Sequence, residues 1–165
     1  MKRRAILALS AALALSACGF QLRGSNGQAG LPFKTIYLGV AETSPLGIEL
    51  RRYIRASGDT TVVTDPKDAQ AIIEVLNESR DKATLTLNTQ GRIREYSLYY
   101  RLRFRVKDNK DKELLAPTEI VLKRDISFNE SQVIAKEKEE EMLYRDMQSD
   151  LVQQILRRLS ALRTA

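Results

Sequence analysis

Two periods of apolar residues alternate along the chain. Lys34 to Val40, "KTIYLGV", alternates at the two-residue period of a strand. Ser44-Pro45 follows as a helix N-cap with proline in the first turn. Leu46, Leu50, Tyr53 and Ile54 then recur at helical spacing until Gly58. Ala69 to Asn77, "AQAIIEVLN", returns to strand, continuing through a bulge near Ser79 to Asp81 into "ATLTL". Asn88-Thr89-Gln90-Gly91 is turn chemistry, and Arg92 to Lys107 comes back as a long partner strand, so the two form a hairpin. A second turn over Asp108 to Glu113 leads, after Pro117, to a strand from Thr118 to Phe128.

Asn129 to Gln132 begins the last element as a capping-box-like start of a helix running to about Arg163. Its apolar stripe, Leu143, Met147, Leu151, Ile155, Leu159 and Leu162, is clear only in the second half. The Glu137 to Glu141 end is therefore expected to face solvent or a partner. Strand, helix, three strands, helix reads as an α+β fold: a four-stranded, mostly antiparallel or mixed sheet with two helices packed on one face, in the order β-α-β-β-β-α.

The sheet's other face carries the charge. In Tyr96 to Lys107, Leu98, Tyr100, Leu102, Phe104 and Val106 fall on one side, and Tyr99, Arg101, Arg103, Arg105 and Lys107 fall on the other. Like charges about 6.6 Å apart along a strand repel within one Debye length and call for acidic neighbours. Glu74, Glu78, Glu119 and Asp125 are the cross-strand candidates. The alternative use of the ladder is a phosphate or carboxylate ligand, which guanidinium groups bind bidentately.

The amino terminus changes the picture of where this domain works. Lys2, Arg3 and Arg4 precede an apolar tract, Ala5 to Leu15, that is too short to span a bilayer and reads as a secretory signal. The tract ends in Leu15-Ser16-Ala17-Cys18, which resembles the lipobox of bacterial lipoproteins, and Cys18 is the single cysteine of the chain. The resemblance implies that Cys18 becomes the first mature residue and carries lipid, and that Gly19 at the following place, where an Asp favours inner-membrane retention, directs the protein to the outer membrane. The expected divisions are a signal peptide over 1–17, a lipidated N-terminus and tether over 18–33, and a single domain over 34–165.

The sequence contains 27 Lys and Arg against 21 Asp and Glu. Loss of the three signal-peptide cations leaves 24 against 21, a mature formal charge of +3. There is no histidine, which excludes an imidazole base, a Ser-His-Asp triad and a histidine-ligated metal. Glu137, Glu139, Glu140 and Glu141 form a run that points around a helix instead of converging, and glycine-rich phosphate loops are missing. The expectation is no enzyme activity and no cofactor, and export with lipidation argues against nucleic acid as a partner.

The start "CGFQLRG", the hairpin "GRIREYSLYYRLRFRV" and the segment "ISFNESQVIAKEKEEEMLYRDMQSDLVQQILRRL" together resemble the LptE family of LPS-assembly lipoproteins. The resemblance covers nearly the whole mature chain. It implies an outer-membrane lipoprotein that plugs the LptD β-barrel, assists its assembly and takes part in delivering lipopolysaccharide to the cell surface. A stand-alone periplasmic lipid-binding or adaptor lipoprotein is the other reading that the residues allow. For the anionic ligand, Arg92 and Arg94 at the hairpin tip and Lys136 at the start of the last helix rank first, and Arg101, Arg103 and Arg105 second.

Overall fold

The computed structural model describes residues 30–58 and 60–162. The signal segment, Cys18 and most of the tether lie outside the described residues, as does Arg163. Five strands form one mixed sheet in the order β2-β1-β3-β4-β5. They are β1 (Thr35–Gly39), β2 (Thr61–Val63), β3 (Ala71–Leu87), β4 (Ile93–Lys107) and β5 (Glu113–Ser127). Helix α1 (Pro45–Ala56) connects β1 to β2, and α2 (Val133–Ser160) follows β5 after a short 3₁₀ turn at Glu130–Gln132. β1 pairs in parallel with both β2 and β3, whereas β3, β4 and β5 form an antiparallel meander.

The expected four-stranded sheet is thus corrected to five. The added strand, β2, is three residues long and pairs only with β1, Thr35 opposite Thr61. Three residues are too few to show a period, so nothing in the local pattern marks it. β3 starts at Ala71 rather than Ala69, and its irregularities fall at Leu76 and Leu85, not at Ser79 to Asp81. β5 begins at Glu113, five residues earlier than expected, and runs through Pro117. A register irregularity beside that proline, between Phe104 and Val106 of β4, lets an edge strand continue without the missing N–H.

One apolar core lies between the sheet and the two helices. Leu46, Leu50 and Ile54 of α1 and Met147, Leu151, Val152, Ile155 and Leu159 of α2 meet Ile36, Ile73, Leu98, Tyr100, Leu102, Phe104 and Val106 of the sheet. The face assignment of β4 therefore holds, with Leu102 and Phe104 fully buried. Ser44 caps α1 through its side chain, which accepts from the Gly47 N–H. Gly47 is required where it stands, because a Cβ there would come within 2.8 Å of the Ala41 carbonyl oxygen.

α2 is packed unevenly. Its buried residues run from Met147 to Leu159, while Val133, Ile134 and Met142 in the first half are exposed. The first half is held by polar contacts instead: Lys82 Nζ donates to Glu140 at 2.7 Å, and Tyr144 Oη donates to the Asp81 carbonyl at 2.9 Å. The Arg80 guanidinium stacks over the rings of Tyr100 and Tyr144, at 4.6 and 5.5 Å, and donates to Gln148. Glu137 to Glu141 thus do not all face solvent, since Glu140 returns to the sheet.

Candidate functional site

The long β3–β4 hairpin ends in a turn built by one asparagine. Asn88 Oδ1 accepts from the backbone N–H groups of Gln90 and Arg92, and Gly91 supplies the positive φ of 75° that closes the loop. Because β4 then pairs with the end of β5, with Glu95 opposite Ser127, the segment leaving β5 passes beside this tip. The Phe128 N–H donates to the Arg94 carbonyl at 2.7 Å, and the Phe128 ring meets Tyr96 edge-on with centroids 5.3 Å apart. Asn129 caps the 3₁₀ turn, accepting from Ser131, and α2 starts directly above.

These three segments enclose an open groove of about 570 Å³. Arg94 and Lys136 line it together with Leu87, Glu95, Ser127 and Phe128. The sequence ranked Arg94 for its exposure at the hairpin tip and Lys136 for its place in the family resemblance, and the fold brings the two into one concave surface although 42 positions separate them. Lys136 is held there: its Nζ donates to Ser127 Oγ at 2.9 Å and to Glu139 at 2.8 Å, which leaves its side chain only 17% exposed. Arg94 is exposed. Arg92 stands at the tip beside the groove and pairs with Glu130 at 3.2 Å, a partner far away in sequence. Both side chains of that pair are largely exposed, so it holds Arg92 weakly.

The second-ranked cations are elsewhere. Arg101, Arg103 and Arg105 lie mid-strand on the sheet face away from the helices. Arg105 and Lys107 share Glu74, with nitrogen–oxygen separations of 2.6 Å, while Arg101 pairs with Asp81 and lies 4.7 Å from the Tyr99 ring centroid. Arg103 is opposite Glu119 in the β4–β5 register. The hydrogen bond from Lys107, aided by Arg105, holds the Glu74 carboxyl below its ordinary range. Lys107 in turn is raised, first by Asp111 and then by Glu74. Of the four carboxylates expected to answer the ladder, Glu74 does so. Asp125 instead accepts from Ser97 and pairs with Lys123. Glu78 is turned away: the extra residue Leu76 flips the alternation of β3, and Glu78 accepts from the inward Tyr100 hydroxyl.

The chemistry of the groove is a pair of cations beside an aromatic ring and a leucine, and it suits an amphiphile with an anionic head. Phe128 and Leu87 escaped the sequence reading, which searched for charge alone. The available signal was an apolar residue directly before an asparagine that opens a turn: Leu87 before Asn88, and Phe128 before Asn129.

Comparison with known proteins decides the family. The family model for lipopolysaccharide assembly, LptE, matches residues 33–159. The chain belongs to the LptE family. The LPS-assembly lipoprotein LptE of Yersinia enterocolitica is 28% identical over all of this chain and 80% of its own length. A solution NMR structure of an uncharacterized lipoprotein B from Nitrosomonas europaea shares the fold with a TM-score of 0.74 and 41% identity, covering 87% of this chain and 91% of that one. The crystal structure of rare lipoprotein B from Shewanella oneidensis gives a TM-score of 0.67 at 25% identity, over 77% of this chain and 94% of that one. Membership in the LptE family places the chain in lipopolysaccharide assembly, and among the described residues no helix is long and apolar enough to cross a membrane.

Proposed function

We propose that this LptE-family chain is an outer-membrane lipoprotein, anchored through lipid on Cys18, that plugs and assists assembly of the LptD β-barrel and contacts lipopolysaccharide through its tip groove. The observation that carries the ligand reading is the convergence of Arg94 and Lys136 on a groove walled by Phe128 and Leu87. Guanidinium and ammonium groups meet the phosphates of an acylated, phosphorylated sugar, and the apolar wall meets its hydrocarbon. Arg92 adds a third cation at the rim, and the Arg101, Arg103, Arg105 ladder is the secondary candidate.

The topology supports the same arrangement. β1 is parallel to β3 and starts opposite the beginning of β3, with Ile36 beside Ala71, so the tether joins the sheet at its base. The groove is at the other end of β3, which at about 3.3 Å per residue is roughly 50 Å away. The groove therefore lies at the opposite end of the sheet from the place where the tether enters it.

The test is lipopolysaccharide binding by the purified lipoprotein with Arg92, Arg94 and Lys136 all changed to Glu. Binding should weaken at least about tenfold and should fall with added salt in the wild type, because exposed phosphate contacts are screened. Unchanged binding by a folded triple mutant overturns the groove assignment. The barrel reading has its own test: after mild detergent extraction the lipoprotein should co-purify with a large β-barrel at equal stoichiometry, and recovery alone favours the stand-alone adaptor.

A further inference from the structure

β5 is the edge of the sheet, and among the described residues no strand pairs with its outer side. Edge strands are ordinarily blunted, since a row of unpaired N–H and C=O groups templates association. Here the interruption of the backbone is confined to one end. Pro117 and the adjoining irregularity interrupt Glu113 to Thr118, but from Thr118 to Ser127 the register with β4 is unbroken. Val121 in the middle of that run is 48% exposed. Arg124, the inward-pointing charge that would discourage pairing, is already neutralised by Asp150 of α2 at 2.8 Å.

We infer that, in chains not seated in a barrel, this edge pairs antiparallel with the same edge of a second copy, about a two-fold axis through Val121. The charge pattern selects the partner and the register. Directly opposed residues of antiparallel strands share a face. With the axis at Val121, Glu119 of each copy stands opposite Lys123 of the other, so two ion pairs flank a Val121–Val121 contact. Ile120 and Leu122 oppose each other on the core side in the same register. Moving the axis to Leu122 sets Glu119 against Asp125, like against like. Moving it to Ile120 sets Lys123 against Pro117 and Glu119 against Val121, so neither meets an opposite charge across the contact; Lys123 keeps only its exposed pair with Asp125 of its own copy. Seven residues per strand, Thr118 to Arg124, overlap within the clean run, which makes a weak contact that forms and dissolves with concentration.

The experiment uses the full lipoprotein in detergent solution and a short thiol–thiol cross-linker, with Ile48→Cys, an exposed position on α1, as the control. Val121→Cys should give a cross-linked species of twice the chain mass, well above the control. In sedimentation, Glu119→Lys or Lys123→Glu alone should lower the dimer fraction roughly tenfold in association constant, because attraction becomes repulsion at two symmetric places. The charge-swapped double variant, Glu119→Lys with Lys123→Glu, should restore it. Cross-linking of Val121→Cys no greater than the control, or a product of another mass, overturns the inference. So does a folded double variant that remains as monomeric as the single ones, and this arm stands even if the cysteine variant does not fold.

Discussion

The base of the sheet and its tip are made by the same strands and the same helix, yet different forces hold them. At the base, Ala71, Ile72 and Ile73 of β3 are buried, and the second half of α2 lies on Leu102, Phe104 and Val106. Toward the tip, β3 beyond Leu76 is largely exposed, and the first half of α2 is fixed by Lys82–Glu140, by Tyr144 on the Asp81 carbonyl and by Lys136 on Ser127. Apolar burial of about 25 cal/mol per Å² dominates folding, whereas exposed polar contacts are each worth a fraction of a kcal/mol. The base thus supplies stability. The tip, which needs cations facing an open groove to bind anything, contributes little to it.

The comparison breaks first at the base. Phe104→Ala removes a fully buried ring beneath both helices and should lower unfolding free energy by about 3–5 kcal/mol, a large share of a small domain's stability. Chemical denaturation measures it, and a midpoint equal to wild type would mean that the base is not where the stability resides.

The base was also the part legible in the sequence, for the same physical reason. Burial imposes periodicity, so β1, α1, the inward face of β4 and the stripe from Met147 to Leu159 could be read directly from spacing. Where one or both faces are wet, periodicity fades. The run Asn77 to Lys82, "NESRDK", let β3 be followed but hid where its irregularities fall, since its far half lies against polar groups and solvent. Pro117 concealed the first third of β5 because a proline is tolerated only at an edge, and edge position is a property of the finished sheet. In the groove, Arg94 was legible as an exposed cation at a turn, and Lys136 only through the family resemblance. Their meeting was not, because it depends on the register that sets Glu95 opposite Ser127.

Between the two ends sits Tyr100, buried in the core but with its hydroxyl donating to Glu78 and accepting from Arg80. Burial first, then the hydrogen bond to Glu78, pushes its phenol up to about 12. A pKa raised on folding means that the neutral phenol is favoured in the native state. Its contribution is fully present below the unfolded value near 10 and is lost as pH rises from there through about 12. Tyr100→Phe should cost about 1 kcal/mol at neutral pH through the lost hydrogen bonds. It should also flatten the loss of stability between those two pH values. Some decline persists, because burial raises Tyr144 in the same direction. Parallel alkaline profiles for wild type and variant would remove Tyr100 from this role.

A smaller effect is expected nearer the tip. Lys82→Ala breaks the pair with Glu140 and the contact with Tyr96, whose ring centroid is 4.9 Å from the ammonium nitrogen. Since the lysine is 40% exposed, the global cost should remain within about 1 kcal/mol. Hydrogen exchange is the sharper measurement: amides near Glu140 should exchange faster while those around Leu151 stay protected. Uniform loosening of α2 would show that its two halves open together and that base and tip are not separate within the helix.

The smallest expected change is the most informative about the tip. Arg94→Glu alters one exposed side chain, and its backbone carbonyl still accepts from the Phe128 N–H whatever the side chain is. Among the described residues, the other charges lining the groove are Glu95 and Lys136, so the reversal exchanges a repulsion with Lys136 for an attraction and an attraction to Glu95 for a repulsion. These nearly cancel in a solvent-screened setting, and the unfolding free energy should move by no more than about 0.5 kcal/mol. The same substitution should nonetheless weaken lipopolysaccharide binding, since the ligand's phosphates meet a carboxylate where a guanidinium stood. Lys136→Glu makes a stricter pair with it, because Lys136 also ties α2 to Ser127 and its loss carries a stability cost that Arg94→Glu avoids. If Arg94→Glu destabilised the fold as much as Lys136→Glu, the arginine would be a structural tie like the lysine. The groove itself would then have no residue held in reserve for a ligand, and only Arg92 at its rim would remain.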